Sequence, residues 1–319
     1  MVTNKQIKHN NMKKTLIALA ALTMVAACNK AEVVETPLGD AIQFGNAFVD
    51  NTTKAASDPS YGATAVALEQ FNVYGAVAGV NIFNGNTVSK GNANYGDAWT
   101  CTGTPQYWVE GAAYIFDAVV DATAVTTDTN TGLPTSLNYK ASTQKDMLHN
   151  RVTTTGKPTS GLVEFTFGHL LSKVKFTVEN ESAETATNYQ YTVTDIKITN
   201  TITEGNYAVP AGTWTTVSTG TQAIANMTVA SSKTEECATE VLLIPGAKVG
   251  ISFKVNVQIK NGNEWKTIST TNVDKTNVVT LAANIAYNFK VTVGLGTSIQ
   301  FTAHQLSGWT SNDETEITY

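Results

Sequence analysis

Cysteine is almost missing from this chain: 319 residues carry three, Cys28, Cys101 and Cys237. Such sparse thiols do not make a disulfide framework, so Cys101 and Cys237 read as buried singletons, with a bridge between them open but disfavoured. Proline is scarce at 7 and histidine at 4. Beyond the N-terminal segment the histidines are His149, His169 and His304, far apart and without cysteine or carboxylate at ligand spacing, so no metal or cofactor site is expected. Charged residues make up only 15%, with a net charge of -5 and a pI near 5.4. No basic face is visible, which argues against nucleic acid as a partner. Ser172 has no nucleophile-elbow context, and neither Gly-x-Ser-x-Gly nor His-Glu-x-x-His occurs. No catalytic set can be assembled, and an enzyme is not expected.

What is present is apolar and β-forming. Hydrophobic residues reach 42%, enough for about two domains at roughly 150 residues each. Short runs of Val, Ile, Thr, Tyr and Phe recur between Gly/Asn/Asp/Ser clusters, which makes the fold class all-β. The first segment reads as an address: Lys13 and Lys14 precede an apolar run from Leu16 to Ala27, too short to span a bilayer comfortably. It ends Val25-Ala26-Ala27-Cys28, which resembles the lipobox of bacterial lipoproteins, with Cys28 taking the lipid. An ordinary signal peptide with an incidental cysteine is the alternative. The expected order is a signal peptide over 1–27 and a lipidated leader over 28–40, with either Met1 or Met12 as the start.

The body is organised around Ala41 to Ala55. Ile42, Phe44 and Phe48 read as one face of a strand, and the polar loop after it carries a single base, Lys54. Phe71, Val73 and Val80 to Phe83 predict a hairpin, with Asn84-Gly85-Asn86 read as a turn. Trp108, Tyr114 and Phe116 are candidate core aromatics. Ser142 to Val152 is the one predicted helix, capped by Ser142, with Lys145, Asp146 and Arg151 in solvent. Thr126 to Gly132, with Asp128 and Asn130 alternating, is a plain turn with a faint likeness to a calcium loop. Val163, Phe165 and Phe167, then Val174, Phe176 and Val178, form half-buried strands. Tyr189, Tyr191 and Val193 alternate, and the phase slips at Asp195 as a bulge would make it. Ile251 to Ile259 and Tyr287 to Val293 alternate without error. Dispersed tryptophans read as core rather than as a sugar platform.

The collinear order of parts resembles the fimbrillin family, the type V pilins of the Bacteroidales. The parts are Cys28, a strand leading to Lys54, Phe167 to Phe176 (FGHLLSKVKF), Leu281 to Val293 (LAANIAYNFKVTV) and Trp309-Thr310. The resemblance implies two antiparallel transthyretin-like β-sandwich domains in series, over 41–178 and 179–319. It implies an outer-membrane lipoprotein whose first strand, 41–54, is removed by a trypsin-like protease between Lys54 and Ala55. Better-known members are cut after arginine, so a lysine here departs from the pattern. The emptied groove is then filled by a strand of another copy or a related pilin. The C-terminal segment 297–319 is the expected donor, through Ile299, Phe301, Ala303, Ile317 and Tyr319. The resulting cell-surface fimbria would serve adhesion and biofilm formation. The other reading is a non-polymerising surface lipoprotein, or a tip or anchor adhesin, that meets a glycan or protein ligand on a host or bacterial surface.

Overall fold

Alternation becomes strand nearly everywhere the sequence shows it. The computed structural model describes residues 40–49, 68–94, 96–180, 189–230, 236–294, 299–307, 309 and 314–317. These all fall in one compact unit, Gly39–Tyr319. Cys28, Lys54, Ala55 and Tyr319 lie outside the described residues, as do the expected signal peptide and all of the expected leader except Asp40.

The first sheet runs, in spatial order, β1 (Phe44–Val49), β9 (Val163–His169), β8 (Leu148–Thr155), β5 (Ala113–Val120), β2 (Gln70–Val77), β3 (Val80–Ser89) and β4 (Thr100–Cys101). The second runs β14 (Glu236–Leu243), β10 (Ser172–Asn180), β17 (Ala286–Val293), β18 (Gln300–Leu306) and β19 (Glu314–Glu316). The third runs β16 (Glu264–Thr280), β15 (Lys248–Asn261), β11 (Tyr189–Ala208), β7 (Pro134–Lys140) and β6 (Ala124–Thr127). On the other side of β11 lie β12 (Thr213–Ala223) and β13 (Met227–Ala230). The protein is all-β, and no described helix is long and apolar enough to cross a membrane.

Two pairs depart from the antiparallel expectation. β1 pairs with β9 in parallel, and β10 pairs with β17 in parallel. Alternation cannot reveal this, because it fixes which face a residue takes and not which distant strand lies beside it. The boundary expected at 178/179 also falls inside β10, whose partners β14 and β17 belong to the second half.

Three buried clusters follow from these sheets. One gathers Phe44, Phe71, Phe83, Phe116, Phe165 and Phe167. Another gathers Phe176, Ile251, Phe253, Phe289 and Val291. A third, with Leu137, Tyr139, Leu171 and Ile202, lies where β7 of the first half is zipped to β11. Gln144 ties this junction further: its side chain accepts from Leu242 N–H at 2.9 Å and donates to Leu242 O at 3.0 Å. The 20-residue β11 serves both halves, and its bulge falls at Asp195, φ 52°, where the phase slip places it.

Two local expectations are corrected. The β2–β3 hairpin turns at Ala78-Gly79, both at positive φ, while Asn84-Gly85-Asn86 lies within β3 as a bulge around Gly85. In place of a helix from Ser142 to Val152 there is one 3-10 turn, Ala141–Thr143, followed by β8. β8, which ends in the β-branched run Val152–Thr155, pairs with β5 along its whole length, and this pairing outweighs the Ser142 cap. Arg151 is therefore not solvated: it makes two bonds to Asp117, at 2.9 and 2.7 Å. Cys101 is half-buried rather than buried. Asp128 makes a closed turn, its Oδ1 accepting from Asn130 N–H, Thr131 N–H and Thr131 O–H at 2.8–3.0 Å. These bonds, that from the Thr131 N–H foremost, hold its carboxyl below the usual value.

Candidate functional site in the slot around the first strand

β1 is the terminal strand of its sheet, yet its leading end is covered on the outer side as well. Along one side it lies against β9, where Val163 N–H donates to Gln43 O at 2.8 Å. Along the other runs the segment from Asp97 to Trp108. Ile42 N–H donates to Gln106 O at 2.7 Å, Trp99 N–H to Phe44 O at 2.8 Å and Trp108 N–H to Asp40 O at 3.0 Å. Backbone thus bounds residues 40–44 on both flanks, so taking this stretch out leaves a slot one strand wide at that end.

Below the strand is an aromatic floor. Phe44 is fully buried, edge-on to Phe83 at 5.2 Å and Phe116 at 5.7 Å and stacked on Phe165 at 6.2 Å. Trp108 and Tyr114 extend the floor, their ring centres 4.7 Å apart. Such a floor suits one large apolar side chain from whichever strand lies above it.

The expected face of Ile42, Phe44 and Phe48 is corrected at its end. Ile42 and Phe44 are buried, but the register shifts between Gly45 and Phe48, so Asn46 and Ala47 together oppose the single residue Phe165. Ala47 and Val49 then take the inward positions, and Phe48, half-buried, falls out of phase. Asn46 sits at φ 47°, a conformation asparagine tolerates. Its side chain donates to Glu164 Oε1 and accepts from Gly96 N–H. Gly45 is needed for closeness rather than for φ: a Cβ there would lie 2.8 Å from Asp97 O and 2.9 Å from Leu162 Cδ1. Gly45→Val is expected to cost about 1–3 kcal/mol through this overpacking, read as a lower urea midpoint; a midpoint equal to the parent's contradicts the tight flank.

At the other end of the chain, the residues expected to be donated lie in their own sheet. β18 pairs antiparallel with β17, and Ile317 N–H donates to Ala303 O at 2.7 Å. Ala303 is fully buried, while Ile299, Phe301 and Ile317 are half-buried against the second core. Phe301 lies 5.9 Å from Phe289 and 6.2 Å from Phe253.

Sequence reasoning missed the Asp97 to Trp108 flank, whose only signal was a pair of tryptophans bracketing a polar loop. It also missed what the histidines do: His149 Nε2 lies 2.8 Å from Asp117 Oδ1, and His169 Nδ1 lies 2.7 Å from Asp146 Oδ2. Among the described residues, no cluster of three or more His, Cys, Asp or Glu could hold a metal.

The sequence profile of a family described as fimbrillin-like matches residues 53–309. Among solved structures, a fimbrial protein of Bacteroides vulgatus aligns with a TM-score of 0.57 at 13% identity, over 85% of this chain and 99% of that one. A candidate cell adhesion protein of Bacteroides uniformis gives 0.53 at 16% identity, over 85% and 98%. At these identities the two likenesses concern the fold alone. No curated protein sequence matches the chain.

Proposed function

The chain belongs to the fimbrillin-like family, and from that premise we propose that it is a structural subunit of a cell-surface fimbria. On this reading it reaches the outer membrane as a lipoprotein on Cys28, is cut after Lys54 by a trypsin-like protease, and polymerises by strand exchange with copies of itself or related pilins. The assembled fimbria serves adhesion and biofilm formation. On this reading the chain makes two sandwiches, and we propose their division near Leu170 and Leu171, between β9 and β10, rather than at 178/179.

The observation that carries the reading is the stretch from Asp40 to Val49, bounded at its start on both flanks by backbone, seated on an aromatic floor, and followed in sequence by Lys54. Each large side chain that an incoming strand buries there contributes roughly 1.5–3 kcal/mol gross, with ladder hydrogen bonds added. While β1 is covalently attached it fills the slot at an effective concentration on the order of millimolar or more, which an external strand cannot match. Cleavage removes that advantage. The Ile299, Phe301 and Ala303 segment supplies the replacement.

Limited trypsin treatment of purified protein is expected to start SDS-resistant ladders in the parent and none in Lys54→Ala. A parent that is cut after Lys54 yet stays monomeric counts against assembly by this route. The second reading, a tip or anchor adhesin that does not polymerise, draws support from the docking of β18 and β19 on their own sheet. Such a protein gives no ladder alone but binds a ligand or caps a fibre made by others.

A further inference from the structure

His169 and Lys173 flank the crossing from β9 to β10, and both reach a residue near the other end of the chain. The imidazole of His169 lies flat on the indole of Trp309, ring centres 3.9 Å apart and planes 9° from parallel. That imidazole is fixed: its Nδ1 is 2.7 Å from Asp146 Oδ2, and its side chain is only 7% exposed. Lys173 Nζ stands 5.6 Å from the indole centre and is itself paired with Glu240 at 3.5 Å. Trp309 also packs on the third apolar cluster, at the junction of the two halves. The FGHLLSKVKF stretch is therefore more than an amphipathic strand, because its histidine and its first lysine build a seat for the C-terminal tryptophan.

The forces holding the C-terminal segment fall into two kinds. The ladder from β18 to β17 and the burial of Phe301, Ala303 and Ile317 are of a kind that any strand-shaped apolar slot returns. A flat stack on a pinned imidazole beside an ammonium group is not, because it needs that planar partner at that place. Trp309 thus supplies the part of the hold that moving to another subunit forfeits, unless the acceptor carries the same seat.

We infer that Trp309, seated on His169 and Lys173, is a latch that sets how often the C-terminal segment leaves its own sheet. It is a positioning residue for strand donation rather than part of the donated apolar row. The inference rests on the assembly reading for its purpose and goes beyond it in naming what controls release.

Hydrogen exchange read by mass spectrometry on the full chain tests the latch without requiring assembly. Trp309→Ala is expected to speed exchange of the β18 and β19 amides about tenfold, the scale of a lost aromatic stack and cation contact. Trp309→Phe keeps a ring on His169 and is expected to stay within about threefold of the parent. Amides of β2 and β5 in the first sheet keep the parent's rates in both variants. Parent-like exchange of β18 and β19 in the alanine variant overturns the latch, and so does a rise shared equally with β2 and β5. Trypsin-started ladders score assembly separately: selective exchange with no ladder in parent or variants upholds the latch and removes the assembly reading.

Discussion

Phe44→Ala is expected to cost about 3–5 kcal/mol of folding stability. The ring is fully buried, and its neighbours Phe83, Phe116 and Phe165 belong to strands already fixed in their ladders. Backbone on both sides of the strand at Phe44 keeps the walls apart, so the hole cannot collapse and most of the cavity penalty stays. Urea titration gives the loss as a shift in midpoint at unchanged slope. The same substitution has a second expected effect once the chain is cut after Lys54. A strand held only by non-covalent contacts then loses its largest anchor, and gel filtration followed by mass measurement finds the first strand released from the variant and retained by the parent. A shift below about 1 kcal/mol would mean that the slot closes on its own, and the first strand would then be a covering rather than a filling.

Arg151→Met is expected to lose a similar amount, about 3–5 kcal/mol. Asp117 is fully buried on β5, and its carboxylate takes two bonds from Arg151 and one contact from His149, both on the neighbouring β8. Removing the guanidinium strands a charge with nothing but an imidazole beside it, and that uncompensated burial dominates the loss. The double variant Asp117→Leu with Arg151→Met removes the charge along with its partner and is expected to recover most of the stability. Denaturant midpoints of the two singles and the double close the cycle; a double variant as weak as Arg151→Met alone would place the cost in packing rather than charge.

Alternation made much of the fold legible. Ile251 to Val255 and Tyr287 to Val293 take the faces their spacing dictates, and the slip at Asp195 marks a real bulge. What stayed hidden depends on partners far away in sequence. Nothing near Phe44 says that β9 runs parallel to it, or that residues near Trp99 close its other flank. Asn46 breaks the phase through a register shift that a plain count of twos steps over, which is why Phe48 read as inward. The helix expected from Ser142 failed for the same reason: a local cap competes poorly with a full-length pairing to β5 and a buried carboxylate waiting for Arg151. The seat of Trp309 on His169 joins two pieces of family wording whose meeting no local pattern announces.

The slot itself can be challenged with the strand that belongs in it. A synthetic peptide of residues 40–54, added in excess to protein cut after Lys54, is expected to reoccupy the space above Phe83, Phe116 and Phe165 and to suppress ladder formation, whereas the same peptide with Phe44→Asp leaves ladders intact. Ladders that form equally in the presence of either peptide would mean that incoming subunits dock somewhere other than the place the first strand vacates.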